Sequence, residues 1–406
     1  MSIHYVKGKP YFSEVEEKIS QFAYLNKNTE CDVLIIGGGI NGAIANYYFS
    51  HNQINTILIE KNRLGYTSTA CATALLEYQL DDHADQIKGY FSKQDTINAY
   101  KIGISALSDL EKIIDKHGNT CHYSKRDTLL YTLKKSEVNM LEKEYIFRKN
   151  NGFKVEFLTE QNNPFPFAFK AGLLATEKGA EFNPYLFTKL MIENANKDFS
   201  KIYEHTEAFK IDKLTNGKLK VTCRYGIEIL CNKVIASTGY NTTLFTKERL
   251  CEKLITYSIV TNIIKDFSWQ DKAMLQDNSD PYHYIRFSHD NRLIIGGEDV
   301  PMKGDFIKDK KAQKKYDALL TYTKKLLPQI AQQLQIDYAF CGAFSATKNN
   351  LGIFGPSKEN SDIWYCLGYG ANGIINCIYG AQLLVKNYKG QKDNYQDYFT
   401  VNRQLT

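Results

Sequence analysis

Three glycines and one acid carry the first chemical signal in this chain of 406 residues. Gly37, Gly39 and Gly42 stand at G-x-G-x-x-G spacing, with Ile40 and Asn41 inside the turn, and Glu60 follows. The first glycine of such a turn permits a tight reversal, the second lets backbone approach a pyrophosphate, and the third lets a helix pack against a strand. Glu60 lies close to the roughly 20-residue separation at which an acid meets a ribose. A carboxylate there accepts hydrogen bonds from both ribose hydroxyls and disfavours a 2′-phosphate. The chemistry implied is dinucleotide binding. Small hydroxyl side chains follow at Thr67, Ser68 and Thr69; they suit phosphate oxygens or the cap of a following helix, and an ordinary polar loop is the plainer alternative.

These residues need a strand, a turn, a helix and a second strand to position them. Val33 to Ile36 is an apolar, β-branched run of strand length, Ala43 to Phe49 continues as a helix, and Thr56 to Ile59 is the second strand. A long amphipathic helix is expected over 96–117, from apolar positions at helical spacing. Past Cys121 the period changes: strands around 128–132, a charged helix over 136–150 and a strand at 155–158 suggest a second domain. A helix over 185–196 starts with Pro184 in its first turn. A meander of hairpins is expected from 202 to 230, then a strand at 233–236 ending in Ser237, Thr238 and Gly239. Strands follow at 254–264, 282–288, 292–297 and 337–344, with a helix from 310 to 327 stopped by Pro328. Near the C-terminus a second glycine-rich turn, Gly368, Gly370, Asn372 and Gly373, opens a helix from Ile374 to Tyr388. If both turns face one cofactor, the first and last thirds form one domain and the middle is inserted. The expected division is an N-terminal arm, 1–30; a discontinuous dinucleotide domain, 31–118, 180–250 and 345–406; and a substrate domain, 119–179 and 251–344.

Composition narrows the partners. Lys and Arg number 51 against 45 Asp and Glu, a net charge of +6, without a long block of one sign, so nucleic acid is not expected. The densest basic run, Lys308 to Lys315, reads as a solvated helix face. Nine scattered cysteines without a C-x-x-C pair point to reduced thiols in a cytoplasm, and neither a metal site nor a disulfide frame is expected. No signal peptide and no bilayer-spanning run is read.

In order and spacing, DVLIIGGGINGA, Glu60, LGYTSTA, VIASTGY at 234–240, RLIIGGED at 292–299 and GYGANGI at 368–374 resemble the FAD-dependent D-amino-acid oxidase-like superfamily, which includes glycine, sarcosine and γ-glutamylputrescine oxidases. The resemblance covers nearly the whole chain. It implies an α/β (mixed α+β) fold: a glutathione-reductase-like FAD domain with its Rossmann motif, plus a mixed-sheet substrate domain. It places Gly37, Gly39 and Gly42 at the FAD pyrophosphate, Glu60 at the ribose and Lys61 over the adenosine. Thr67, Ser68 and Thr69 approach pyrophosphate or ring, Thr238 and Gly239 close over the ADP half, and Gly370, Asn372, Gly373 and Ile374 present backbone to the isoalloxazine. The flavin itself takes a hydride from carbon beside nitrogen or oxygen, so the protein needs no obvious acid or base.

Where the family holds a substrate carboxylate, this chain departs. Phe344 stands where amino-acid oxidases carry an arginine, and Ile374 where sarcosine oxidases carry a lysine. Remaining pocket candidates are Arg286 and Lys348, with Tyr257, Tyr282 and Tyr284. The expected reaction removes a hydride from a C–N bond of a small amine or amino acid, giving an imine and reduced flavin, with oxygen or another carrier as electron acceptor. The missing anchors favour a primary or secondary amine whose carboxylate, if present, is remote from the oxidised carbon. Two alternatives stay open: dehydrogenation of a hydroxy compound, and a flavoprotein without turnover. Noncovalent FAD is expected, with Cys341 the candidate attachment point if the flavin is covalent.

Overall fold

The computed structural model describes residues 5–15, 18–304, 307 and 312–403. It contains two sheets. In the first, the strand Thr29–Ile36 lies between two parallel neighbours, Glu228–Ala236 and Thr56–Ile59, pairing Ile35 with Ile235 and with Leu58. Val33, Leu34 and Ile35 are fully buried, as expected for a parallel strand covered on both faces. Ile363–Leu367 and Ser200–Tyr203 extend the parallel set on opposite sides. Ile353–Pro356 and the hairpin of Ala208–Lys213 and Leu219–Cys223 complete eight strands in antiparallel fashion. Helix Ile40–His51 packs against helices Pro184–Glu193 and Gly373–Tyr388, and the last of these also meets helix Lys93–His117. That long helix begins with a reciprocal bond between Ser92 and Asp95 and ends at Gly118.

The second sheet has ten strands, running from Val6–Gly8 through Ile336–Ala346, Glu252–Ile263, Arg292–Pro301, His283–Phe287, Met274–Asp277, Ser124–Thr132 and Ala171–Glu181 to Leu75–Glu77, with Glu156–Thr159 beside Ala171–Glu181. It is mixed, because Met274–Asp277 runs parallel to Ser124–Thr132 while the other pairs are antiparallel. Helix Ala312–Leu326 covers part of one face.

Several local expectations change. Ser200–Tyr203 is not part of a hairpin meander; it pairs in parallel with Thr56–Ile59, a partner more than 140 residues earlier. The two strands expected at 228–230 and 233–236 are one, Glu228–Ala236. The N-terminal stretch is more than an arm: Val6–Gly8 is an edge strand against Ile336–Ala346, and Tyr11–Val15 is a short helix. Gly8 adopts φ 89°, and a Cβ there would lie 2.3 Å from the Ala339 carbonyl oxygen. Leu75–Glu77, inside the range expected for the dinucleotide domain, is an edge strand of the other sheet. Of the basic run Lys308–Lys315, residues 308–311 lie outside the described residues, and 312–315 open a helix. No helix among the described residues is long and apolar enough to cross a membrane.

Candidate cofactor and substrate site

A cavity of about 1160 Å³ runs between the two sheets. Its dinucleotide end is built by the first strand and turn. Gly37 has φ 111°, and a Cβ on it would meet the Ser237 carbonyl oxygen at 2.4 Å. Gly42 faces away from the cavity; its Cβ would lie 1.9 Å from the Gly37 oxygen, so only glycine lets the helix sit this close to the strand. Gly39 is different. Its Cβ would meet Thr69 Oγ1 at 3.3 Å, with no other atom within 4 Å, so the space in front of it is kept for something the fold itself does not supply.

Helix Ile40–His51 receives no side-chain cap from Gly39. Instead Thr69 Oγ1 accepts from the Ile40 amide at 3.0 Å, which ties the hydroxyl run to the helix N-terminus and its positive dipole end. Glu60 Oε2 accepts from the Gly38 amide and Oε1 from the Asn62 amide, each at 2.8 Å. Burial raises the Glu60 pKa above the ordinary carboxylate value, and these two amides oppose the rise. Each oxygen keeps a further lone pair for a ribose hydroxyl. Lys61, Thr67, Ser68, Thr238 and Gly239 line the same end, as does Ser237, whose buried hydroxyl has no hydrogen-bond partner among the described residues. An open glycine cradle, an ordered acid and an unsatisfied hydroxyl fit the ADP half of FAD.

At the other end, Gly370, Asn372, Gly373 and Ile374 form the wall. Cβ atoms on Gly368 and Gly373 would each lie 2.2 Å from the other's carbonyl oxygen, which fixes this turn as glycine. The Asn372 side chain fastens it across the cavity: Oδ1 accepts from the Glu77 amide at 3.0 Å, and Nδ2 donates to the Gln79 carbonyl at 2.9 Å. Asp81 Oδ2 accepts from the Ala371 amide at 2.9 Å. The start of helix Gly373–Tyr388 therefore faces the cavity, where its dipole favours negative charge.

Of the pocket candidates, Tyr282, Tyr284 and Phe344 line the cavity; Tyr257, Arg286 and Lys348 do not. The two tyrosine rings lie 6.0 Å apart, and Tyr282 donates to Asp299 Oδ2 at 3.0 Å. Arg286 is 2% exposed, and its guanidinium is spent inside the fold: Nε donates to the Thr73 carbonyl, Nη2 to that of Phe182 and Nη1 to that of Phe287, with Glu181 at 3.4 Å. Tyr257 packs near Tyr316 in the core under helix Ala312–Leu326, and Lys348 is exposed. Cys341 is buried in that same core and is not on the wall.

Sequence reasoning missed a set of acids. Glu77, Asp81, Asp82 and Asp299 all line the cavity. Burial pushes Glu77 up to about 7, opposed by the positive charge of Arg148. Burial also pushes Asp81 up to about 7, with Asp82, Glu77 and Asp299 adding to the rise. The pair Asp81-Asp82 was visible in the sequence, but its meeting with Asp299, from a distant strand, was not. No group of three or more His, Cys, Asp and Glu among the described residues is arranged to hold a metal.

The chain is similar to a protein of Bacillus subtilis (strain 168) named as a Rieske 2Fe-2S iron-sulfur protein, at 24% identity over 98% of this chain and 77% of that protein. It is also similar to γ-glutamylputrescine oxidoreductase of Escherichia coli (strain K12), at 22% identity over 95% of this chain and 90% of the relative. Among solved structures, glycine oxidase of Geobacillus kaustophilus superposes with a TM-score of 0.77 at 18% identity, covering 93% of this chain and all of that one. The sequence profile described as FAD dependent oxidoreductase matches residues 32–387, through both sheets and both glycine turns. By that match the chain belongs to the FAD dependent oxidoreductase family.

Proposed function

We propose that this FAD-dependent oxidoreductase converts the C–N bond of a small amine to an imine, and that the substrate carries no carboxylate on the oxidised carbon. The observation that carries this reading is the apolar pair Phe344 and Ile374 on the cavity wall, where related enzymes are expected to place a cation. A buried carboxylate without a charged partner costs several kcal/mol. The lining cations lie elsewhere or are engaged: Lys61 stands beside Glu60, Lys134 pairs with Glu137 at 2.9 Å, and Arg148 pairs with Glu144 at 2.7 Å. Arg286 and Lys348, the remaining candidates for a carboxylate, are both off the cavity wall.

FAD, when bound, supplies the hydride acceptor. In this reading Gly37 and Gly39 bring backbone to the pyrophosphate, Glu60 holds the ribose, and the 370–374 turn fronts the ring, leaving the tyrosines and Phe344 to orient the amine. Sheet membership supports an FAD unit of 31–118, 180–250 and 345–406 and a substrate unit of 119–179 and 251–344, with Leu75–Glu77 crossing to the substrate side. The position of Cys341 outside the cavity supports noncovalent FAD.

The test is anaerobic reduction of the holoenzyme by butylamine and by its α-carboxylated analogue, 2-aminopentanoate. Reduction at least tenfold faster by the amine is expected, rising with pH because the reacting nitrogen must be neutral when hydride leaves. Faster reduction by the amino acid, or reduction by 2-hydroxy acids alone, would overturn the reading.

A further inference from the structure

We propose that the amine substrate carries a second positive charge, and that Asp81 and Asp299, with Gln79 and the Tyr282–Tyr284 ring pair, form the subsite that holds it. The inference rests on the amine reading above and adds the substrate's charge to it.

The first observation is a charge imbalance. Glu77, Asp81 and Asp299 share one wall region: Asp81 feels the fields of both Glu77 and Asp299, and Tyr282 feels those of Asp299 and Asp81. Among the described residues none of the three has an ion pair within 4.0 Å. Nearby cations are committed to other acids, Arg148 to Glu144 and Lys315 to Glu298, at 2.7 Å in each case. With Glu77, Asp81 and Asp299 all ionised, a substrate with a single ammonium leaves this region with excess negative charge, whereas a dication, which favours their ionised forms, comes closer to balance.

The second observation concerns unfilled acceptors. Gln79 is 7% exposed and lies on the cavity wall; its Nε2 donates to Glu77 Oε2 at 2.8 Å, while its Oε1 has no hydrogen-bond partner among the described residues. Asp299 Oδ2 accepts from Tyr282; the Thr256 hydroxyl stands near enough to favour the ionised carboxylate, but the buried Oδ1 makes no hydrogen bond of normal geometry among the described residues. Buried acceptors are normally satisfied. Two unfilled acceptors and an unpaired carboxylate are what an ammonium with three N–H donors would complete. The Tyr282 and Tyr284 rings on the same wall are aromatic groups of the kind that attract a cation. Asp81 keeps its position through the Ala371 amide, so the subsite is rigidly joined to the 368–373 turn.

A remote carboxylate on the substrate would meet repulsion in the same region. The ligand class is therefore a diamine or longer polyamine rather than an ω-amino acid. The burial that holds Glu77 and Asp81 near 7 also means that a dication displaces protons as it binds.

Calorimetry on holoenzyme reduced with dithionite, which cannot take up a further hydride, tests binding apart from turnover. The probes are 1,4-diaminobutane, butylamine and 4-aminobutanoate. The diamine is expected to bind at least tenfold more tightly than butylamine at low salt, with proton release near pH 6.5, and 4-aminobutanoate more weakly than either. The advantage should shrink in 0.5 M salt and in Asp81→Asn and Asp299→Asn, with bound FAD measured in each variant to verify folding. Equal affinities of diamine and butylamine in the wild-type protein would overturn the inference and leave the amine reading standing. Tighter diamine binding, with neither amine reducing oxidised enzyme, would keep the subsite and remove the amine reading.

Discussion

Asp81 is held by one backbone amide and surrounded by other carboxylates, so burial sets its protonation. A carboxyl whose pKa rises from about 3.9 in the unfolded chain to about 7 when folded contributes stability below the unfolded value and loses it as pH climbs through the folded one. Glu77 titrates in the same window with the same sign. Without amine, the wild-type protein should therefore lose stability between pH 4 and pH 7. Asp81→Asn should flatten that slope in part; parallel melting curves for the two proteins would contradict it. At the other end of the cavity, Gly39 has an almost empty space in front of it. Gly39→Val fills that space, so the expected protein is folded but colourless, with less than a tenth of the wild-type FAD. Full retention of the yellow cofactor would show that the pyrophosphate lies elsewhere. Residues of this kind were legible early, because a glycine pair that must touch backbone to backbone leaves a spacing in the sequence.

At the scale of elements, legibility followed locality. The strand, turn and helix around Gly37–Gly42 and the helix Gly373–Tyr388 are specified by neighbouring residues, so their existence and order were readable, although the strand starts at Thr29 rather than Val33 and the first helix runs Ile40–His51 rather than Ala43 to Phe49. Ser200–Tyr203 and Leu75–Glu77 were misplaced or missed because four-residue and three-residue edge strands carry almost no periodic signal; distant partners alone decide their sheet. Arg286 teaches the same lesson at the site. A strand arginine looks like a ligand anchor in sequence, yet here it joins Thr73, Phe182 and Phe287 through their carbonyls. Arg286→Met should cost about 3 kcal/mol, three buried acceptors losing roughly 1 kcal/mol each, seen as a lower denaturation midpoint at unchanged slope. The ratio of butylamine to 2-aminopentanoate reduction should stay as in the wild type. A collapse of that ratio with no loss of stability would return Arg286 to the site. The acid cluster was unreadable for a different reason, since Asp81 follows the edge strand Leu75–Glu77 and Asp299 lies in Arg292–Pro301, two distant segments that only the assembly of the ten-stranded sheet brings into one region.

Across the whole molecule, a net charge of +6 surrounds a cavity whose substrate end is acidic. Net charge alone would steer cations away, so local field and global field oppose one another, and salt screens the longer-ranged global term first. Both sheets contribute walls, so cofactor and substrate contacts depend on how the sheets are held together. One of the holding pieces is the short edge strand Val6–Gly8, which pairs with Ile336–Ala346 and brings Tyr5 onto the cavity wall beside Tyr240. That placement has a practical side for anyone handling the protein. Deletion through Gly8 removes both the strand pairing and Tyr5 from the cavity wall, so the shortened protein should shed flavin during dialysis faster than the intact chain.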